Sequence, residues 1–205
     1  DPNATWREQV PGGDLRRFFG TFLNFPALRT RIPSIVAGLS KRDDTALRAT
    51  VADLKSTVAE LTRYPFSPPS LPLVMLISAS ENSERRDLSL ETVEAEARTA
   101  LFTSAIPGFL VDSPVPRYER DEWFGGTPAS LPRTLVMHGT LDPNTPYSGA
   151  QAHAEILAKA GPLTFSTVQR GAHLLAFVAP TCFVEAASTF VENTQVPESC
   201  IEQGQ

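Results

Sequence analysis

The sequence predicts an α/β fold, on three observations. From Leu131 onward the chain alternates strand, loop, helix, strand, loop, helix, the rhythm of parallel strands joined by right-handed crossovers. Ahead of it, Leu47, Val51, Leu54, Val58 and Leu61 recur at steps of 4, 3, 4 and 3, which is one apolar stripe on a long helix. The 205 residues are 41% hydrophobic and 20% charged, enough apolar material for a core without staples. Net charge is −5 and no Lys/Arg run exceeds a pair, so nucleic acid and anionic membrane are poor partners. The longest apolar runs, 73–77 and 174–179, are far too short to span a bilayer.

Residues 1 to about 63 read as helical. Phe18, Phe19, Phe22, Leu23 and Phe25 cluster before Pro26, and a second apolar segment, 32–39, is interrupted by Pro33. The long helix covers about 45–64, with Asp43 and Asp44 supplying a cap and favourable charge at its start. Pro65, Pro68 and Pro69 stop it. The run 73–77, Leu-Val-Met-Leu-Ile, reads as a short buried strand. Ser89 caps a further helix with Val93, Ala97 and Leu101 on one face. Residues 106–126 read as irregular, with Pro107, Pro114, Pro116 and the pair Gly125-Gly126. Then come a strand at 134–137, a turn holding Asp142-Pro143, a helix at about 148–159, a strand at 163–168, a loop at 171–173 and a last helix at about 180–192.

Asp142 and His173 occupy matching places, each just past a strand and before a helix. In an open parallel sheet such positions collect at one edge, where ligands bind. An acid that orients an imidazole is two-thirds of a Ser-His-Asp triad, and acid before histidine is the chain order of α/β-hydrolases. Taken singly, an Asp before Pro is ordinary turn chemistry and a His beside Gly an ordinary loop residue. His138, at the end of its strand, reads as a structural hydrogen-bonder. The three histidines, 138, 153 and 173, form no zinc pattern with Cys182 and Cys200, so no metal is expected. The two cysteines, 18 residues apart, either close one loop or stay as buried thiols.

The segment from Leu131 to Pro146, Leu-Pro-Arg-Thr-Leu-Val-Met-His-Gly-Thr-Leu-Asp-Pro-Asn-Thr-Pro, resembles the acid-bearing segment of the tripeptidyl-aminopeptidase-like or proline-iminopeptidase-like α/β-hydrolases. Their pattern there is Gly-x-x-Asp-x-x-Thr-Pro between a strand and a helix. Gly171-Ala172-His173 resembles their Gly-x-His loop, and Cys182, Pro197 and Cys200 resemble their C-terminal tail, where two cysteines bracket the final helix. Asp1-Pro2 resembles the point where such a chain enters its helical cap.

The resemblance implies a C-terminal portion of an α/β-hydrolase: a mostly helical cap or lid in residues 1–126, then the last parallel strands and flanking helices of the core in residues 127–205. It implies Asp142 and His173 as the acid and base, a Cys182–Cys200 disulfide, and with that bridge a secreted or otherwise extracytoplasmic location. The chain begins at Asp1 without Met, which reads as a processed or cut end. The implied activity is serine hydrolysis releasing residues from a free peptide N-terminus, with no cofactor. Glu81, in the segment 78–83 where relatives carry a Cys-Ser-Glu-like motif, is the candidate to bind the substrate ammonium, and Glu84 the second. Gly-x-Ser-x-Gly is absent, since no two of the 12 glycines stand four apart. The nucleophile-bearing half is therefore expected as a partner, with self-association of the lone chain as the alternative. Two rival functions stand beside the peptidase: a non-catalytic folding partner or binding module, and an esterase-type hydrolase of the same fold.

Overall fold

Caps, prolines and turn residues cut the chain into short elements. The computed structural model describes residues 5–10, 13–61, 70–82, 85 and 88–203. The first helices are α1 (Trp6–Gln9), α2 (Leu15–Phe22), α3 (Pro26–Arg29), α4 (Ile32–Ser40) and α5 (Thr45–Leu61). Next come α6 (Leu71–Ile77), running into a π-helical turn at Ser78–Asn82, then α7 (Leu90–Thr99) and α8 (Ile106–Leu110). The remainder is β1 (Thr134–Gly139), α9 (Tyr147–Leu157), β2 (Leu163–Gln169), α10 (Leu175–Val178), α11 (Pro180–Val191) and β3 (Ser199–Ile201). Pro65, Pro68, Pro69, Glu84 and Asp1-Pro2 lie outside the described residues.

The residues form two compact units, one from the described parts of 1–21 and 38–124, the other from 22–37 and 125–205. In the first, Asp43 accepts the Thr45 N–H at 2.9 Å and Asp44 pairs with Arg48 at 2.8 Å, which starts α5 where its acids predict. The α5 stripe is buried at its beginning, Leu47 and Val51, while Val58 stays 45% exposed. Ser89 caps α7 as expected, its hydroxyl accepting from the Thr92 N–H at 3.1 Å. Leu101 lies beyond the end of α7 and is exposed rather than part of a buried face.

The segment 73–77 is a correction. It is helical, not a strand, within α6. A five-residue apolar run has no readable period of its own, and Pro72 sits in the first helical turn, where its fixed φ is pre-organised and its missing N–H costs nothing. The segment 106–126, expected to be irregular, holds the short helix α8.

The second unit carries the sheet. Strand order is β1-β2-β3, all parallel. Register runs from Thr134 opposite Leu163 to Gly139 opposite Val168, and Val168 then pairs with Cys200. β3 has no apolar run to announce it. It is held by its neighbours: Thr167 N–H donates to the Glu198 carbonyl at 2.9 Å, the Ser166 hydroxyl to the Pro197 carbonyl at 2.7 Å, and Cys200 is disulfide-bonded to Cys182 with Cα atoms 5.8 Å apart. Val168, Ala179 and Cys182 form the core cluster, with Met137, Leu175 and Cys200 packed on it. The segment 22–37, which the sequence groups with 1–126, clusters here, and Phe22, Leu28 and Ile35 are buried.

Candidate active site

The site is built at the carboxyl ends of β1 and β2. Equal register brings Gly139 and Val168 to the same level, so the loops that follow start side by side. Gly139 lets them touch, and Gly171 leaves room for the side chain of Val168 on the strand it follows. A Cβ at Gly139 would lie 2.3 Å from the Gly171 carbonyl oxygen, and one at Gly171 would lie 2.8 Å from the Val168 side chain. The Leu141 N–H donates to the Gly171 carbonyl at 2.9 Å, and the Arg170 N–H donates to the Thr140 hydroxyl at 2.8 Å. Arg170 and Leu174, neither a glycine, hold positive φ of 59° and 62° on either side of Gly171-Ala172-His173. Such conformations are rare for bulky residues and persist only where the surroundings enforce them.

Within this frame the two Asp142 oxygens divide their work. Oδ1 accepts the backbone N–H groups of Asn144 at 2.8 Å and Thr145 at 2.9 Å, which is the turn chemistry an Asp-Pro predicts. Oδ2 accepts the Thr145 hydroxyl at 2.9 Å and His173 Nδ1 at 2.9 Å. The turn role and the imidazole-orienting role are thus both present, on different atoms. The Asp142 side chain is 6% exposed and the His173 side chain 35%, so the acid is enclosed and the imidazole open to a reactant. Burial pushes the Asp142 carboxyl up, but the hydrogen bonds from His173, from the backbone of Thr145 and Asn144 and from the Thr145 hydroxyl outweigh it and hold the carboxyl below its ordinary value. A carboxylate has no proton to give, so His173 carries hydrogen on Nδ1 and its neutral form leaves Nε2 as a proton acceptor.

His138 lies close by. Its Nδ1 meets the Gly139 carbonyl at 3.0 Å and its Nε2 the Thr145 hydroxyl at 3.2 Å, a bracing position over the Asp142 turn. Thr145, which sequence reasoning did not single out, is a third partner of the acid. Its signal was the Thr-Pro that follows Asp142 in the turn. A cavity of about 340 Å³ opens beside the pair, with Met137, Ala172, Leu174, Phe177 and Phe183 among its lining. Among the described residues no group of three or more His, Cys, Asp or Glu is arranged to hold a metal.

Glu81 lies in the other unit, in the π-helical turn. The Tyr118 hydroxyl donates to its Oε1, Arg120 donates to its backbone carbonyl at 3.1 Å, and the Tyr118 N–H donates to the Ser80 hydroxyl at 3.2 Å. Glu81 itself is exposed. The disulfide region holds a further buried acid that the sequence did not flag. Glu202 accepts the N–H groups of Cys182 at 3.0 Å and Thr181 at 3.3 Å, capping the N-terminus of α11 from a distant strand end.

Parallel strands joined by a crossover helix, with an acid and a histidine bonded at their carboxyl ends, are the features of the C-terminal portion of an α/β-hydrolase fold. Residues 111–202, just under half of the chain, match the family model described as TAP-like protein, an α/β-hydrolase family. This region is therefore similar to the C-terminal region of TAP-like α/β-hydrolases. No curated protein and no solved structure matches the chain.

Proposed function

We propose that the chain supplies the acid and the base of a serine hydrolase, with the nucleophile contributed by the N-terminal half of the same hydrolase. The observation that carries this reading is the 2.9 Å hydrogen bond from His173 Nδ1 to Asp142 Oδ2 at the ends of adjacent parallel strands. Asp142 holds the imidazole in one tautomer and stabilises its protonated form. His173 Nε2 takes the proton from the serine hydroxyl as it attacks the scissile carbonyl, then returns it to the leaving amine. This acid–base chemistry calls for no metal or organic cofactor.

The substrate we propose is a peptide with a free N-terminus, from which residues are released, with Glu81 binding the ammonium. The apolar residues beside the pair support a substrate with apolar groups at the cleavage point. The partner proposal is supported by the sheet edge: among the described residues β1 pairs only with β2, and an unpaired strand edge is a template for another strand. Left without its complement, the lone chain would self-associate. An extracytoplasmic location is compatible with the Cys182–Cys200 disulfide; no helix among the described residues is long and apolar enough to cross a membrane.

The test is complementation. The chain alone, lacking Gly-x-Ser-x-Gly and its oxyanion donors, is expected to leave a fluorophosphonate unreacted. Mixed or co-expressed with the nucleophile-bearing half, it is expected to hydrolyse aminoacyl-arylamides, and His173→Ala to abolish this. Labelling of the lone chain at a single serine would overturn the reading. Hydrolysis of simple esters in preference to arylamides would make the chain part of an esterase. Binding of the half without activity would make it a folding partner.

A further inference from the structure

Arg29, on α3 and 112 residues before Leu141, reaches the active-site loops by tertiary contact alone. Its Nη1 donates to the Leu141 carbonyl at 3.3 Å and its Nη2 to the Arg170 carbonyl at 3.1 Å. Nη1 also donates to the Leu23 carbonyl at 3.2 Å, which fixes the guanidinium to its own segment. Leu141 is the residue before Asp142, and Arg170 is the residue that turns β2 into the His173 loop at positive φ. One planar cation thus spans the two loops at the roots of the acid and the base.

We infer that Arg29 is a positioning residue that sets the distance between Asp142 and His173 by clamping the loops that carry them. The inference rests on reading the pair as an acid–base unit, and it adds a residue with no place in that chemistry. The guanidinium suits the task because its donors form a rigid fork that reaches two carbonyls at once. A lysine ammonium is a compact point charge without that fork. The bonds that join the two loops engage the N–H groups of Leu141 and Arg170, so a side-chain donor shared between their carbonyls adds a second tie across the gap. Burial, with Arg170 close by, pushes the Arg29 guanidinium below its ordinary value, the mark of a cation drawn out of solvent and held by neutral acceptors. The other inter-loop bonds, Leu141 to Gly171 and Arg170 to Thr140, run backbone to backbone or to a hydroxyl; Arg29 adds a charged side-chain brace to them.

The experiment is proton NMR on the full chain with labelled histidine. The His173 Nδ1 proton, bonded to a carboxylate, is expected downfield, and is assigned by its loss in His173→Gln. In Arg29→Met this proton is expected to exchange with water about tenfold faster, while the Thr167 amide, which bonds to Glu198 at the far side of β2, keeps its protection. Arg29→Lys is expected to fall between the two, and carries the test if Arg29→Met does not fold. An unchanged His173 proton in a folded variant overturns the inference. So does equal acceleration at His173 and Thr167, which marks general loosening. Absence of the downfield proton in the unsubstituted chain overturns the pair itself, and failure of complementation with an intact Arg29 effect overturns the hydrolase reading alone.

Discussion

Two carboxylates in this molecule are built in opposite ways. Asp142 is 6% exposed and takes four hydrogen bonds, two from the backbone N–H groups of Asn144 and Thr145 and one each from the Thr145 hydroxyl and His173. Glu81 is exposed and its carboxylate meets the Tyr118 hydroxyl. The first arrangement spends every lone pair on geometry, as a group that orients another must. The second leaves the side chain in solvent, which suits the proposed role of meeting an incoming ammonium. The backbone follows the same division. Asp142 sits in a turn locked against a second loop by glycine contact, whereas Glu81 sits in a π-helical turn, a local irregularity common at functional positions.

The sharpest way to break this comparison is to remove the orienting function while keeping the shape. Asp142→Asn offers an amide where His173 needs an acceptor, and is expected to lower kcat of the complemented enzyme by about ten-thousand-fold, read with an aminoacyl-arylamide. A loss under tenfold would place Asp142 with the turn and not the chemistry. The disulfide comes next. Cys182→Ala with Cys200→Ala is expected to cost about 3 kcal/mol of stability in denaturant melts, because it frees a loop closed over 18 residues and releases β3. A change within about 0.5 kcal/mol would show that β3 is held by its hydrogen bonds instead.

Glu81→Gln tests the other side. It is expected to raise KM about 10- to 100-fold for substrates with a free N-terminus and to leave N-acetylated ones unaffected, with kcat little changed, since the ammonium is lost as a binding contact only. Equal effects on both substrates would take Glu81 out of recognition. The smallest expected effect is on acid stability. Burial pushes the Glu202 carboxyl up, but donors from Cys182 and Thr181 hold it below its ordinary value, as the donors around Asp142 do there. A carboxyl lowered on folding contributes stability that is complete above its unfolded pKa, about 4, and is lost as pH falls through the folded value. Denaturant stability should therefore fall on acidification below about pH 5, and Glu202→Gln should flatten that fall while costing about 1 kcal/mol at neutral pH. A slope unchanged by Glu202→Gln would leave Asp142 to account for it.

Much of the candidate site is legible in the sequence, and for local reasons. Asp142 and His173 stand directly after apolar runs and before helices, and the small spacer Gly139 marks where two backbones must approach. Ser89 and Asp43 announced their helices because a cap acts within three residues. The misreading of 73–77 has an equally local cause. Five apolar residues carry no period, and the run, expected as buried, fits either conformation on its letters alone; Pro72 opens a helix there and Leu73, Val74 and Ile77 stay exposed.

Other features were decided only by parts of the chain that meet in three dimensions. β3 exists because Cys200 and Glu202 find Cys182 across α11, not because Ser199, Cys200 and Ile201 prefer a strand. Arg170 and Leu174 adopt positive φ that neither residue type favours. Arg29 reads in sequence as one arginine among many, and becomes a clamp because the segment 22–37 joins the unit of 125–205. The division follows from range. Caps, glycines and periodicity act over a few residues and leave their trace in the letters. A guanidinium meeting carbonyls more than a hundred residues away depends on the whole fold having formed first, and no local pattern can encode it.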